Sequence, residues 1–481
     1  MKKNLWVIFI LAIISFCLVN AIVEICIYPP WQDDVSYADI THSVIANNTL
    51  RLNLFFSPVK AFIWGPVYFY SQKIILSILG FGMWQFRILN LISGIYLLFI
   101  FWLIAKKLKF SNLNTLIYIA LIGFDIRYVF DLSSGRMDMY ALALFMSAWL
   151  LFQNKLNKKY FIFIIAGVLA ALSFLTSPRI GFYFLIFILT FVVELIKTEN
   201  RTKTFLQYFI FGLSILLPVL VWVYATYGSI FGYVNFYIDS PLVAKHYGGS
   251  FFPMEYQIPS ILLWLLSAVY VLKTKENRFN PILLAFYALP VFHLLFIKEM
   301  GPYSAMLMPF IYLGIVYAVN SIPRKELSIL PGVIALFMLF YSFSSTFTSV
   351  YLEFEHPDSF SSFFNSQQIK KNNVLADYYY YYAITENQNR YISYNDNKAD
   401  LSIQHLNNSA IEYAVISKDN YIKNSKIFKD LGFVVLTEYQ SKREINFFYK
   451  FAIFLKKNFS KKAIRNGYDG FVLKRNIVLT H

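Results

Sequence analysis

Long apolar runs separated by short polar segments fill residues 1–350. The runs are Leu5–Val23, Arg87–Ala105, Leu113–Phe130, Met139–Phe152, Tyr160–Ser177, Gly181–Ile196, Phe205–Ala225, Ile258–Leu272, Pro281–Ile297, Met306–Asn320 and Ile329–Phe347. Most are about the length that crosses a bilayer as a helix. Basic clusters recur after alternate runs: Lys106, Lys107 and Lys109, then Lys155, Lys158 and Lys159, then Lys197, Arg201 and Lys203. Lys273, Lys275 and Arg278, and finally Arg324 and Lys325, continue the series. With these clusters and Lys2–Lys3 in the cytoplasm, the runs alternate without conflict. The pattern predicts about eleven spans, with eleven to thirteen compatible, and a retained first helix with a cytoplasmic N-terminus. Val59–Leu79 contains Gly65-Pro66, Gln72 and Lys73 and is predicted to lie along the outer surface as a juxtamembrane helix. A crossing there would put the later basic clusters outside.

Residues 351–481 turn polar. Short β-rich runs recur at Val374–Tyr378, Tyr391–Tyr394, Tyr413–Ser417 and Phe433–Leu436, with helical stretches between some of them. Phe447–Leu455 reads equally as an interfacial helix or a strand. The expected fold is therefore a multi-pass α-helical membrane protein with a small C-terminal α/β domain outside the membrane. Its expected division is a transmembrane catalytic domain, 1–350, with a first outer loop over 28–86, and an extracytoplasmic domain, 351–481.

Composition sharpens this picture. Hydrophobic residues are 58% of the 481 and charged residues 15%, against roughly 45–50% and about 25% in soluble domains. A soluble enzyme, a nucleic-acid module and a disordered chain are excluded. The net charge of +16 reads as membrane orientation, because the basic residues sit in short loops. The aromatic share of 20% fits interfacial belts, with stacking on sugar rings as the functional alternative for a few. Cys17 and Cys26 lie nine residues apart on one predicted helix and cannot form a disulfide together. The cytoplasmic loops are too short for a nucleotide-binding fold, and no Walker-type glycine loop occurs.

The chemistry lies in the outer loops. Asp33 and Asp34 follow the first run and read either as the cap of a helix over Val35–Ala46 or as a general base at the membrane surface. Arg136 and Asp138 precede a run of only 14 residues, Met139–Phe152, about 21 Å of helix. That shortness draws both toward the membrane, where ionisable groups face a cavity or a partner. Arg87, Arg127, Arg136, Arg179, Lys245, His246 and Lys298 recur at outer ends of runs. Each reads singly as an interfacial anchor; together they read as a phosphate site. His293, inside a run, reads as a hydrogen-bonded core residue. A carboxylate beside cations at the outer leaflet suits glycosyl transfer from a polyprenyl-phosphate sugar. The acceptor hydroxyl needs a base, and the phosphate leaving group needs positive charge.

At these residues the chain resembles the C-type (GT-C) integral-membrane glycosyltransferases. The branch is that of the bacterial protein O-mannosyltransferases and the lipid A aminoarabinose transferase. The family's acidic pair and following Tyr-Ala-acidic appear as Asp33-Asp34-Val35-Ser36-Tyr37-Ala38-Asp39. Its Pro- and aromatic-rich stretch appears as Gly65–Tyr70, its Phe-Gly turn as Phe81-Gly82, and the Arg of the next span as Arg87. Arg-x-Asp appears as Arg136-Met137-Asp138, a Gly-Leu-Ala-like turn as Gly167–Thr176, and a charged-Tyr-Pro-Phe pattern as Lys298, Tyr303 and Pro309-Phe310.

The resemblance spans roughly residues 1–320. It implies an inverting transferase of the bacterial inner membrane that moves a monosaccharide from a polyprenyl phosphate, undecaprenyl phosphate by type. The acceptor would be extracytoplasmic: lipid A, a polysaccharide or a protein. Asp33 would be the base, with Asp34 and Asp138 as further catalytic acids. Tyr37, Lys60, Arg87, Arg136, Arg179, Lys298 and Tyr303 would bind substrate. No nucleic acid is implied. A divalent ion, Mg or Mn, would fall on Asp33 and Asp34 if on any residues. Relatives carry a Lys before the juxtamembrane Pro, whereas this chain has Trp64-Gly65-Pro66. Lys60 or Arg87 is the expected substitute. The competing readings are a lipid-linked glycan flippase or other transporter, and a polysaccharide polymerase or ligase.

Overall fold

The computed structural model describes residues 2–27, 30, 32–54, 59–60, 65–153, 160–239, 257–273, 281–297, 303–321, 329–353, 357–394, 410–440, 446–459 and 468–476. The helices begin with α1 (Lys2–Ile27), α2 (Gln32–Asn47), α3 (Pro66–Leu79), α4 (Met83–Lys107), α5 (Asn112–Gly123), α6 (Ile126–Ser133) and α7 (Asp138–Gln153). Then come α8 (Tyr160–Phe174), α9 (Leu185–Lys197), α10 (Arg201–Tyr227), α11 (Ile230–Asp239), α12 (Gln257–Lys273), α13 (Pro281–Phe292), α14 (Ser304–Ser321) and α15 (Ile329–Thr348). A short hairpin, β1 (Arg51–Leu52) with β2 (Val59–Lys60), lies between α2 and α3.

Among the described residues, five segments are long and apolar enough to cross a membrane: Trp6–Cys26, Met83–Lys107, Pro178–Lys197, Arg201–Tyr227 and Ile329–Leu352. Five shorter apolar helices and one bent pair fall where the remaining runs were expected. Large apolar side chains such as Phe9, Ile92, Leu216 and Phe337 point outward from these helices, as helices in lipid require. The expected continuous run Leu113–Phe130 is broken instead: α5 and α6 meet at 58°. Asp125 causes the break. Its Oδ1 accepts the Arg127 backbone N–H at 2.8 Å and so caps α6, while Oδ2 accepts the Tyr312 hydroxyl at 2.7 Å. A buried carboxylate with these partners is better satisfied at a helix end than inside one.

Of the expected juxtamembrane helix Val59–Leu79, Val59–Lys60 is the strand β2 instead, while Pro66–Leu79, α3, is helical and packs on α2 and α4. Its start is fixed to the end of α8, where the Val67 N–H donates to the Leu175 carbonyl at 3.2 Å. Gly65 makes that approach possible, since a Cβ there would lie 1.8 Å from the Leu175 oxygen. Gly65→Ala should therefore destabilise the protein by about 1–3 kcal/mol, visible as a lower melting temperature in detergent. An unchanged melting temperature would show that the α3–α8 contact is not tight.

The C-terminal part contains α16 (Pro357–Ser366), α17 (Tyr381–Glu386), α18 (Lys418–Asp430) and α19 (Phe447–Phe459). Its strands are β3 (Asn373–Ala376), β4 (Arg390–Ser393), β5 (Ile411–Ser417), β6 (Phe433–Tyr439) and β7 (Gly470–Arg475). They form one sheet in the order β4-β3-β5-β7-β6. β3 pairs parallel with β4 and β5, Leu375 opposite Ile392 and Ala414; β7 runs antiparallel between β5 and β6. All four expected strands are present, β7 was not anticipated, and Phe447–Leu455 is helical. One sheet face packs with α18 through Leu375, Ile416 and Phe428. The other shares a core with the first loop, where Val35, Tyr37, Tyr68 and Phe86 join Phe360, Tyr380 and Val415.

Candidate active site

Helix α2 begins at Gln32, so Asp33 and Asp34 lie in its first turn rather than capping a helix from Val35. Carboxylates in a first turn meet the positive end of the helix dipole. Their side chains diverge. Asp34 turns inward, where its Oδ2 accepts Arg87 Nη2 at 2.7 Å and its Oδ1 accepts the Gly135 N–H at 2.8 Å. Arg87 Nη1 also donates to the Ile25 carbonyl at 3.1 Å, which ties α4 to α1. Asp33 turns outward and keeps 39% of its side chain exposed, against 3% for Asp34.

The break between α6 and α7 delivers the second half. Arg136 Nη1 donates to Asp33 Oδ2, and its Nε and Nη2 donate to Asp138 Oδ2 at 3.1 and 2.9 Å. Asp138 Oδ1 accepts the Ser177 hydroxyl at 3.3 Å. The segment is held by its backbone. Asn90 Nδ2 donates to the Ser134 carbonyl at 2.7 Å and to that of Arg136. The Tyr68 hydroxyl donates to the Gly135 carbonyl at 2.7 Å, and Gln72 donates to that hydroxyl at 2.9 Å. Gly135 has no room for a side chain: its Cβ would lie 2.2 Å from the Phe86 ring.

Tyr303 closes the cluster from the start of α14, with the Arg136 and Arg179 guanidiniums 4.8 and 4.5 Å from its ring centre. Tyr37 is buried between Tyr68 and Phe69, in the field of Asp33, Arg136, Arg179 and Asp138. It forms the wall of the site rather than an open contact surface. Three carboxylates thus face three guanidiniums. Asp33 is the accessible acid. Arg179 has no carboxylate partner among the described residues. Arg87, an expected phosphate ligand, is buried and committed to Asp34 and Ile25. The Lys60 side chain, Lys298, Lys245 and His246 lie outside the described residues. His293 is a core residue as expected, its Nδ1 2.8 Å from the Tyr183 hydroxyl.

Two further buried acids, Glu24 and Asp39, were not singled out from the sequence. Glu24, at the end of α1, accepts the Ser133 hydroxyl at 3.4 Å. Asp39, about a turn and a half beyond the acidic pair on α2, accepts the Asn53 backbone N–H and lies beside Tyr381 and Arg390 of the C-terminal part. Burial lifts its carboxyl to about 7. The folded state thus holds a proton that the unfolded chain, near 3.8, releases. Stability should fall as pH rises from about 4 to about 7 and then level off. Asp39→Asn keeps an acceptor for Asn53 and should flatten the melting-temperature profile over that window. Parallel profiles for both proteins would exclude this role.

A divalent ion finds little here. Asp33 and Asp34 are each bonded to an arginine, and no group of three or more His, Cys, Asp or Glu comes together among the described residues. An ion on Asp34 would have to displace the Arg87 guanidinium or the Gly135 N–H.

Residues 64–222 match the sequence model of the dolichyl-phosphate-mannose-protein mannosyltransferase family. That region includes Arg87, Arg136, Asp138 and Arg179. No curated protein sequence matches the chain. The structure is similar to that of ArnT from Cupriavidus metallidurans bound to undecaprenyl phosphate, over 98% of this chain and 99% of that one, with 13% identity and a TM-score of 0.58. The apo state of the same protein gives 13% identity and 0.55, covering 98% of each chain. The fold is that of the GT-C glycosyltransferases. The mycobacterial arabinofuranosyltransferase AftD also shares it, at 9% identity and a TM-score of 0.53 over 97% of this chain and 41% of that one. The break before α7 reaches back to the loop after α1 through Gly135 and Arg136. The site is built across those two connections, with Tyr303 and Arg179 completing its rim.

Proposed function

We propose that the chain is an inverting glycosyltransferase. It moves a monosaccharide from a polyprenyl phosphate to an extracytoplasmic acceptor, with its N-terminus in the cytoplasm and the sheet outside. One observation carries the reading: among the clustered carboxylates, Asp33 alone is substantially open to solvent while held in place by a guanidinium. Asp33 takes the proton of the acceptor hydroxyl. That oxygen attacks the anomeric carbon, the bond from carbon to phosphate oxygen breaks, and the lipid phosphate leaves as an anion. Arg179, without a carboxylate of its own among the described residues, stabilises the departing phosphate. Arg136 positions Asp33, and Asp138 holds Arg136. The structure of ArnT with undecaprenyl phosphate supports a lipid carrier of this class. Mass spectrometry of envelope glycolipids and glycoproteins tests the reading in cells carrying the wild type, a deletion or Asp33→Asn. A sugar-sized mass should disappear in both mutants; its survival in Asp33→Asn would remove Asp33 as the base.

A further inference from the structure

Helix α19 joins β6 to β7, and these strands are antiparallel neighbours in the sheet. The connection therefore leaves and returns on the same side of the membrane. Its 13 residues make about 20 Å of helix, short of the roughly 30 Å that a crossing needs. α19 lies along a surface.

Aromatic contacts place that surface at the end of the last membrane helix. The Phe451 ring lies 5.5 Å from that of Phe347, and the Phe448 ring stacks on Tyr351 at 5.4 Å. The span that starts at Ile329 reaches Phe347 after about 27 Å of rise and Tyr351 after about 33 Å. A hydrocarbon core of roughly 30 Å ends between them.

The faces of α19 differ. Ala452 and Leu455 are buried. Phe447, Phe451 and Phe454, at i, i+4 and i+7, form a stripe that stays exposed, Phe447 to 73%. Its rings stack in a row at 6.2 Å spacing. The row continues into the bundle, because Phe347 lies 5.8 Å from Phe343, which faces outward on α15. One apolar surface thus runs from the outward side of α15 onto α19. Helix α18, on the same sheet, shows the contrast. It exposes a single large apolar side chain, Ile422, among Lys418, Asp419, Lys423, Lys426, Lys429 and Asp430. α19 instead carries Lys450, Lys456 and Lys457 and no acid.

We infer that α19 is an interfacial membrane anchor. Its phenylalanine stripe enters the boundary between headgroups and acyl chains, and its lysines take the phosphates of anionic lipids. The partner is a bilayer, because the stripe continues a surface that lipid already covers on α15. The anchor ties the β6–β7 edge of the sheet to the membrane, while the sheet face that packs on the first loop holds it to the catalytic cluster. The leaflet follows from the proposed topology; the contact itself is independent of the transferase reading.

The test places an environment-sensitive fluorophore on single cysteines of the full-length protein in lipid nanodiscs. The background is Cys26→Ser, since Cys26 is exposed and Cys17 buried. Phe447→Cys and, separately, Phe454→Cys carry the label on the stripe; Ile422→Cys is the control on α18. In phosphatidylcholine discs containing phosphatidylglycerol, lipids with a nitroxide high on the acyl chain should quench the stripe labels about threefold or more above the control, as insertion by about 5–10 Å requires. More phosphatidylglycerol should strengthen that quenching. The triple variant Lys450→Glu, Lys456→Glu, Lys457→Glu should lose this dependence at an unchanged melting temperature. Equal, weak quenching at stripe and control positions would overturn the anchor. So would shielding of the stripe labels only in discs that hold two protein copies, which would assign the stripe to a second copy of the chain. Wild-type quenching that ignores phosphatidylglycerol would remove the anionic-lipid assignment.

Discussion

Asp33→Asn should lower turnover by about two to four orders of magnitude, the usual contribution of a positioned general base, with little change in stability. The two halves of this expectation have separate causes. Asparagine cannot take the acceptor proton, so the chemical step loses its base. Arg136, however, keeps Asp138 as counter-charge through two hydrogen bonds, so no buried charge is left unpaired. Asp33 itself is partly exposed, and exposed ion pairs contribute little to stability. Steady-state transfer with purified protein, beside a thermal melt in the same detergent, reads both. Wild-type turnover would exclude Asp33 as the base. A large loss of melting temperature would make its role structural.

The sequence carried the parts of this site more clearly than their pairing. Asp33-Asp34 and Arg136-Met137-Asp138 stand out because charges near membrane boundaries are costly. Which carboxylate meets which arginine is decided by contacts 53 and 103 residues apart, and no local pattern encodes those. Local signals therefore treated Asp33 and Asp34 as equivalent. The structure separates them by one helical step, outward and inward. Asp39 was quoted only within a motif, because its burial depends on Tyr381 and Arg390 in the C-terminal part. Apolar periodicity located the membrane helices well but hid the bend at Asp125. A single acid inside an otherwise apolar run was the available sign. β7 was missed because Gly470–Arg475 is short and ends in Lys474-Arg475, which reads as a polar tail unless neighbouring strands are known.

Asp34→Asn should cost about 3–5 kcal/mol of stability, the penalty for leaving one partner of a buried ion pair uncompensated. Arg87 and Asp34 are both almost fully buried, so water cannot replace the lost charge. The amide still offers an oxygen to the Gly135 N–H, which confines the damage to Arg87. Asp34→Leu removes that acceptor too and should be worse, because an unpaired backbone donor adds about 1–3 kcal/mol. The double variant Asp34→Leu, Arg87→Met should recover much of the loss, since apolar replacements of similar size often match a buried pair in stability. Its activity should stay low. Gly135 adjoins Arg136, so releasing its N–H loosens the guanidinium that positions Asp33. Thermal melts of the three proteins, with transfer assays on those that fold, separate positioning from chemistry. If Asp34→Asn melts like wild type yet is inactive, Asp34 takes part in the reaction directly. If the double variant regains both stability and turnover, the pair is dispensable scaffolding, and Asp33 is positioned by Arg136 alone.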